Sequence, residues 1–240
     1  MWILTSWDDG HPSDLRIADL LAKHGLQGTF FIPINNSEGL PVLPANSIRE
    51  LELSFEVGGH TRDHIYLNKI SKLEIFTQIC DGKRELEDII GTALTGFCYP
   101  GGMVVPYAVE TVQNAGFLYA RTTENLRTDI GHDRWRIPTT FQFFPHNRDV
   151  YVRNFLRYGK FASRRKAFFS SLRYSDYLCR LREVALLCAD QGSVFHLMGH
   201  SWEIDMLAIW QELDEFLGFL ASLGGKSVTL NEIVSKTLLA

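Results

Sequence analysis

The sequence predicts a single α/β domain folded as a barrel, and three observations carry this prediction. The chain has 240 residues, a length at which such barrels commonly form one domain. Short apolar segments alternate with amphipathic helical segments, as in parallel strands joined by crossover helices. Polar and unusual residues follow several of the apolar segments, where a barrel places its functional side chains. We therefore expect residues 1–240 to form one domain, with a site at the carboxyl ends of its strands.

The first three elements predict a parallel strand–helix–strand unit. Residues 2–7 are apolar and end at two aspartates, which indicates a short strand. An amphipathic helix then opens at Pro12 and stops at Gly25, with leucines and alanines on one face. Residues 28–33 form a second apolar strand. Because parallel strands need a crossover connection, this spacing favours a βαβ unit.

The same alternation predicts the remaining elements. Further strands are expected at residues 55–59, 96–102 (ending in a tight loop), 117–121 and 193–198. Further helices are expected at residues 48–53, 71–90, 108–115, 176–191 and 207–223, before a short terminal strand and helix. Ser71 and Glu74 have the spacing of a capping box. Residues 123–175 are aromatic, basic and irregular, and we expect them to form an insertion within the domain.

Composition excludes several classes of protein. The hydrophobic fraction of 45% and the charged fraction of 22% are ordinary for a packed globular protein. The net charge of −4 contains no long basic run, so nucleic acid is not an expected partner. No stretch approaches the roughly 20 apolar residues that cross a bilayer. The sequence does not indicate an oligomeric state.

The amino terminus and the cysteines bear on location. Residues 1–7 run directly into the aspartates, without a basic region, a long apolar segment or a small-residue cleavage site. We therefore expect a cytoplasmic protein.

Four widely spaced cysteines form no Cys-x-x-Cys pair, which favours reduced thiols in apolar settings over metal ligands. They are Cys80, Cys98, Cys179 and Cys188.

Two adjacent aspartates, Asp8 and Asp9, follow the first predicted strand. Repulsion between neighbouring carboxylates favours a bound cation or a shared proton. In extended backbone the two side chains diverge, so that one can bind a metal while the other faces a substrate. An Asp-Gly turn with solvated carboxylates is the alternative interpretation.

Two histidines, His60 and His64, follow another predicted strand at positions i and i+4. One helical turn would bring both imidazoles to the same face. Such a pair with a carboxylate makes a three-ligand site with an open position, which catalytic zinc requires. The alternative is a helix start that carries two unrelated histidines.

A third segment places His196 and His200 near the end of a late strand. Period-two counting puts His196 and Met198 on one face, and His200 joins them only if the strand stays regular through Gly199. A histidine in an apolar strand is often a hydrogen-bonded core residue, as His196 would be. His200 is the better candidate for a general acid that protonates an amine leaving group.

Together these segments resemble the polysaccharide deacetylases, carbohydrate esterase family 4. Asp8-Asp9-Gly10, His60-Thr61-x-x-His64, a Tyr-Pro-Gly loop after a strand and a late strand ending in histidine occur here in the family's order. The resemblance spans the chain from Trp7 to about His200. It implies an irregular (β/α)7 barrel and the hydrolysis of an N-acetyl group by water that a metal activates.

The resemblance also implies residue roles. It assigns a divalent metal, zinc first and cobalt, nickel or manganese as alternatives, to three ligands: Asp9, His60 and His64. Asp8 matches the base that activates the water. Tyr99 matches the residue whose backbone N–H helps to hold the oxyanion. His200 matches the late acid, with His196 as its rival.

The sequence departs from the family in two places. Family members often carry an arginine at the start of the Tyr-Pro loop, where it orients the base, but here that stretch reads Gly-Phe-Cys-Tyr-Pro. Arg121, at the end of the next strand, is a candidate replacement or else a structural arginine. Trp202 is a candidate wall of a sugar site, and Glu203 or Asp205 are candidates for bonding hydroxyls, with loop packing as the alternative.

The predicted activity is removal of an N-acetyl or other N-acyl group from a sugar. A cytoplasmic location would favour a sugar nucleotide, a lipid-linked glycan precursor or a small glycoside as substrate. Hydrolysis of a non-sugar amide of the ureide or formamide type is an alternative, and so is a non-catalytic carbohydrate-binding relic. The basic and aromatic segment 148–173 is a candidate for contact with an anionic carrier, such as a diphosphate or a lipid headgroup. A solvated loop is the alternative interpretation.

Overall fold

The structure is a computed structural model that describes residues 1–238. Within them the strands are β1 (Trp2–Asp8), β2 (Thr29–Ile32), β3 (Glu56–Gly59), β4 (Gly96–Cys98), β5 (Tyr119–Arg121), β6 (Phe141–Gln142), β7 (Val194–His200) and β8 (Lys226–Ser227). The α-helices are α1 (Asp14–Lys23), α2 (Ala45–Glu52), α3 (Lys72–Ile90), α4 (Pro106–Asn114), α5 (Arg148–Tyr158), α6 (Phe161–Ser171), α7 (Tyr177–Gln191), α8 (Ser201–Leu207), α9 (Trp210–Ser222) and α10 (Leu230–Thr237).

One curled parallel sheet organises the fold. Its strand order is β5-β4-β3-β2-β1-β7-β6, and β8 pairs with the first residues of β1. Beyond β5 the curvature continues through a parallel bridge between Arg121 and Ile137. The chain then reaches β7, where the Thr140 N–H donates to the carbonyl of His196 at 2.9 Å. The predicted α/β barrel class is therefore confirmed.

Strand β1 lies at the centre of the sheet. All its residues from Ile3 to Asp8 are buried, and it pairs with β2 on one side and with β7 along its full length on the other. Helices cover the outer face with apolar stripes, such as Ile17 and Leu21 of α1. Most residues of β1 are apolar, and its two buried hydroxyls, Thr5 and Ser6, are hydrogen-bonded within the protein, as burial on both faces requires.

Helix α3 forms where the capping pattern predicts it. The Ser71 side chain accepts from the backbone N–H of Glu74, and the Glu74 carboxylate accepts from the N–H of Ser71 at 2.8 Å. Gly91, in the left-handed conformation at φ 79°, ends the helix. Local chemistry thus fixed both ends of this element.

Two regions differ from the sequence prediction. The helix predicted at residues 207–223 is present as α9, but residues 201–207, for which no helix was predicted, form the separate helix α8. The chain turns between the two at Ala208, with a left-handed φ of 54°. The segment 123–175, predicted as irregular, contains β6 and the helices α5 and α6. Among residues 1–238 no helix has the length and apolar character to cross a membrane.

Candidate active site

Polar side chains from three strand ends meet in one cavity of about 480 Å³. Asp8 is the last residue of β1 and lies opposite His200, the last residue of β7. Asp9 follows β1, and His60 follows β3. All four side chains line the cavity, because the carboxyl ends of parallel strands open on the same side of the sheet.

Three buried ligand atoms converge beside this cavity. The Asp9 Oδ1 atom lies 3.5 Å from Nε2 of His60 and 3.1 Å from Nε2 of His64. Ligands bound to one tetrahedral zinc ion at ordinary bond lengths are separated by about 3.4 Å. The two motifs that are separated by fifty residues in the sequence therefore have the spacing of a metal site.

The hydrogen-bond pattern of these residues also fits a cation. Nδ1 of His60 lies 2.8 Å from the carbonyl oxygen of Cys98, which can only accept, so this nitrogen carries the proton. The Nε2 lone pair of a neutral His60 then faces the carboxylate of Asp9. Nδ1 of His64 lies 3.5 Å from the Glu38 carboxylate, beyond the ordinary hydrogen-bond distance, so this contact does not fix the tautomer of His64. Asp9 Oδ1 has no hydrogen-bond donor in the described part of the chain, as expected for an atom directed at a metal.

The backbone that presents these ligands is not helical, and the expected helical turn at residues 60–64 is wrong. Thr61 and His64 have φ values of 64° and 50°, so the segment is a tight loop. Asp9 is also left-handed, at φ 78°. Non-glycine residues rarely adopt this region, although aspartate and histidine do so more often than most. The loop, and not an i to i+4 helical face, brings the imidazoles together.

Trp202 supports the carboxylate ligand. Its indole N–H donates to Asp9 Oδ2 at 2.8 Å, and its ring also lines the cavity. One oxygen of Asp9 is thus fixed by the tryptophan, while the other faces the histidines. Trp202 therefore has a defined contact with the candidate metal centre in addition to its position in the cavity wall.

Arg121 lies against Asp8. Its buried guanidinium donates to Asp8 Oδ1, and Arg121 is the register partner of Cys98 across β4 and β5. Burial alone would raise the pKa of Asp8, but the Arg121 charge and two nearby histidines hold this pKa below its ordinary value. The arginine missing from the end of β4 is thus matched by one on the neighbouring strand.

A second possible ligand group, Asp8, His60 and Cys98, has atoms at metal-binding spacing but not the right chemistry. Asp8 is already paired with Arg121. Burial also raises the pKa of the Cys98 thiol well above its ordinary value. Because Asp8 is engaged by Arg121, the group centred on Asp9 is the better candidate metal centre.

His200 lies near Oδ2 of Asp8, whereas Arg121 contacts Oδ1. Its Nδ1 lies 2.8 Å from Glu203 Oε2, and its Nε2 lies 4.0 Å from Asp8 Oδ2. Burial would lower the pKa of His200, but the Glu203 hydrogen bond and the two neighbouring aspartates raise it to about 9. A group that is protonated at neutral pH suits a general acid.

Comparison with known proteins places this geometry in a family. The sequence profile of the family described as polysaccharide deacetylase matches residues 1–120, half of the chain. The chain belongs to the polysaccharide deacetylase family. The resemblance inferred from the motifs is therefore confirmed, and the family consists of hydrolases.

Individual relatives show the extent of the likeness. A peptidoglycan-N-acetylglucosamine deacetylase from Bacillus cereus is 28% identical over 117 residues, which are 48% of this chain and 53% of that protein. The chain thus matches about half the length of this polysaccharide deacetylase.

Solved structures support the fold. The chitin deacetylase of Colletotrichum lindemuthianum superposes with a TM-score of 0.62 at 18% identity, over 96% of this chain and 86% of that one. A family 4 acetyl xylan esterase from Clostridium thermocellum, in complex with a cobalt ion, gives a TM-score of 0.60 at 17% identity, over 98% and 91%.

His196, the rival acid within the deacetylase family pattern, is not at the site. It is buried, with Nδ1 at 2.9 Å from the Pro138 carbonyl and Nε2 at 2.9 Å from the Ser6 hydroxyl. Burial, with the Arg121 charge nearby, lowers the pKa of His196 to about 3. Its predicted substrate or acid role is therefore wrong, because both ring nitrogens are already satisfied within the core.

Tyr99 does not present a free backbone donor. Its N–H donates to the carbonyl of Arg121 at 3.2 Å, and the residue is fully buried. This contradicts the oxyanion role that the family resemblance implied for it. Gly101, two residues later in the same loop, lines the cavity instead. The family resemblance does not show which backbone N–H of this loop the neighbouring strand uses.

Of the two acidic residues after His200, Glu203 lines the cavity and Asp205 does not, and bonding of sugar hydroxyls by Glu203 stays a prediction. Glu203 binds His200 and also accepts from Gln142 at 2.8 Å. Asp205 accepts from the Ser13 hydroxyl and from the indole N–H of Trp210 at 2.7 Å, so it joins helices. Residues 201–207 form helix α8, and the expected polar loop is absent there.

Sequence reasoning missed part of the cavity wall. Helix α5 contributes Arg153 and Arg157, and Tyr66 and Gln142 also line the space. The i, i+4 spacing of the two arginines was available in the sequence as a signal for one helical face. Because α5 begins without a side-chain capping bond, the sequence alone does not show that this spacing lies on a helix.

Proposed function

We propose that the chain is a metal-dependent hydrolase that removes an N-acetyl group from an amino sugar in a glycan or glycan precursor. The observation that carries this proposal is the convergence of Asp9, His60 and His64 beside Asp8 and His200 in one cavity. The named activities of the relatives, deacetylation of peptidoglycan and of chitin, support a carbohydrate substrate.

The donor set favours zinc. One carboxylate and two imidazoles, from Asp9, His60 and His64, are typical ligands of catalytic zinc and leave a position open. When bound, a divalent cation there lowers the pKa of a water and polarises the acyl carbonyl. The tetrahedral spacing of the ligand atoms is consistent with this choice.

Asp8 is the proposed base. The Arg121 ion pair keeps its carboxylate ionised and fixes one oxygen, so that Oδ2 remains for the proton of the attacking water. The nearest donor to that oxygen is the weak Cys98 thiol, at 3.8 Å. A weakly engaged carboxylate oxygen facing the cavity is what proton abstraction requires.

His200 is the proposed acid. With its pKa raised to about 9 it is protonated at neutral pH, and Nε2 is the ring nitrogen left free by the Glu203 contact. It can therefore give a proton to the departing sugar nitrogen as the C–N bond breaks. Glu203 holds the imidazole in the tautomer that this transfer needs.

The replacement Asp8→Asn tests this assignment. We expect kcat to fall by about 10²–10⁴-fold, the usual contribution of general base catalysis, while zinc content stays unchanged. Acetate release from a panel of N-acetylated glycans and nucleotide sugars is the measurement, with metal content determined on the same samples. Asp19→Asn, at an exposed position on α1, is the matched control and should behave like the parent.

Three outcomes separate the candidate functions. Turnover retained in Asp8→Asn would show that the base is misassigned. Release of formate or ammonia from non-sugar amides, without acetate release from any sugar, would favour the ureide or formamide alternative. Zinc and sugar binding without turnover in the parent would favour the carbohydrate-binding relic.

A further inference from the structure

Helix α5 forms one wall of the cavity with a single face. The residues that line the space at this wall recur every three or four positions, which is one side of a helix and of the turn before it. They are His146, Val150, Arg153, Asn154, Arg157 and Tyr158. All but one of these side chains can donate or accept a hydrogen bond, so the helix offers the cavity a polar recognition surface.

Two of these residues are arginines without anionic partners. Among residues 1–238 neither Arg153 nor Arg157 has a carboxylate within ion-pair distance. The nearest contacts of Arg157 are the Met103 sulfur at 3.8 Å and the Tyr158 ring, whose centroid is 5.4 Å from the guanidinium carbon. Like charges at i and i+4 repel each other on a helix, so this arrangement does not stabilise α5.

Several other basic residues of the same segment are satisfied within the protein, and two more, Arg165 and Lys166, are exposed but do not line the cavity. Lys160 pairs with Glu124 at 2.7 Å, and Arg173 pairs with Glu183. Arg164 is buried and donates to backbone carbonyl groups, including that of Gly159 at 2.9 Å. The two arginines that reach the cavity are therefore a distinct pair, and do not represent the segment as a whole.

The carboxylates of the cavity are already engaged elsewhere. Asp8 binds Arg121, Asp9 faces the histidine ligands, and Glu203 binds His200. The remaining one, Glu38, lies beside His64. None of them neutralises the charge that α5 brings to the wall. The hydroxyl and carbonyl oxygens of a neutral glycan can accept hydrogen bonds from a guanidinium group but do not balance its charge, whereas phosphate and carboxylate oxygens do both.

We propose that Arg153 and Arg157 form an anion subsite of the cavity, and that the substrate is an N-acylated sugar bearing a phosphate or carboxylate group. This inference rests on the proposed function and narrows its substrate class. The two residues bind the substrate outside the reacting amide, so they contribute to affinity and positioning.

Binding measurements on the whole zinc-loaded protein test the subsite. The probes are N-acetylglucosamine, N-acetylglucosamine 1-phosphate and N-acetylmuramic acid, which differ in charge and in the type of anionic group. Titration calorimetry is carried out in the Asp8→Asn background, so that probes are bound and not consumed. The test variant is Arg153→Gln with Arg157→Gln. The control, Arg165→Gln with Lys166→Gln, removes two charges from exposed positions of α6 that do not line the cavity.

We expect at least one charged probe to bind about tenfold tighter or more than the neutral one, since charge-assisted hydrogen bonds are roughly twice as strong as neutral ones. This preference should disappear in the Arg153/Arg157 variant and persist in the Arg165/Lys166 control. The charged probe with the larger preference identifies the anionic group. Equal thermal unfolding midpoints of the two double variants show that both are folded.

Three results would refute the subsite. The parent protein could bind charged and neutral probes with equal affinity, the Arg153/Arg157 variant could keep the tighter binding of charged probes, or the control could lose it equally. Acetate release by the parent is measured separately. Arginine-dependent binding without acetate release would refute the proposed function and leave the subsite standing. Acetate release without tighter binding of the charged probes would support the proposed function and refute the anion subsite.

Discussion

At the scale of single residues, Asp8 and His200 show how neighbours set the charge that a reaction needs. Arg121 lowers the pKa of one side chain, and Glu203 raises that of the other, while burial alone would act in the opposite direction on each. Both groups are therefore charged at neutral pH although they lie 4.0 Å apart in a largely enclosed space. A bell-shaped pH dependence of kcat/KM is expected from such a pair.

The alkaline side of that profile belongs to His200. Its pKa is raised to about 9 in the folded protein, so activity is expected at neutral pH and is lost as pH rises through this value. Glu203→Gln removes the carboxylate that stabilises the imidazolium, so the alkaline limb should move to lower pH. The measurement is kcat/KM between pH 5 and pH 10, with Glu50→Gln as an exposed control. An unmoved limb would show that another group is the acid.

Much of the residue pattern was predictable, and the errors have a common physical origin. A carboxylate with two imidazoles predicted a metal site from ligand chemistry, whereas the choice of Asp9 as its carboxylate came from the family resemblance. The role of Tyr99 also came from that resemblance, and that of His196 from an uncertain strand register. Neither kind of inference gives the hydrogen-bond partners of these groups. The carbonyl of Arg121 and that of Pro138, which occupy these groups, come from distant parts of the chain.

At the scale of secondary-structure elements, helix α3 depends on its amino-terminal cap. Ser71→Ala removes a side chain that accepts from the N–H of Glu74, and the free energy of unfolding should fall by about 1 kcal/mol. Urea unfolding measures this change. Ser54→Ala, at an exposed position with no cap, should have no effect, and kcat should be unchanged in both. Equal stability of the two variants would contradict the capping role.

The elements that were missed lack such local signals. Helix α5 begins at Asn147 without a side-chain capping bond, and α6 follows Lys160 in a left-handed conformation. Packing against each other, including the stacked rings of Phe155 and Phe168 at 4.0 Å, stabilises them. Tertiary contacts of this kind are not visible in a single sequence, whereas caps and glycine stops are.

At the scale of the whole molecule, the candidate metal centre joins two parts of the sheet. Asp9 follows β1, and both histidines follow β3. A metal that binds only the folded form stabilises it by about 2.7 kcal/mol at a concentration one hundred times its Kd. For a chain of this size the unfolding midpoint should rise by roughly 5–10 °C when zinc is added after chelation. Differential scanning calorimetry checks this.

His64→Asn is the matched variant for that experiment. It removes one ligand, so zinc should no longer shift its unfolding midpoint, while the chelated parent and the chelated variant unfold at similar temperatures. A zinc shift that persists in His64→Asn would place the bound metal elsewhere in the protein.

The left-handed backbone at Asp9 and His64 has a consequence for directed evolution. Non-glycine residues in this conformation cost roughly 1–2 kcal/mol each. Glycine at either position would relieve this backbone strain in metal-free protein. A selection for heat resistance under chelating conditions is therefore expected to enrich glycine at these two positions. The selected proteins should be more thermally stable but inactive. Metal in the selection medium would reverse that pressure, because the ligands then stabilise the chain that carries them.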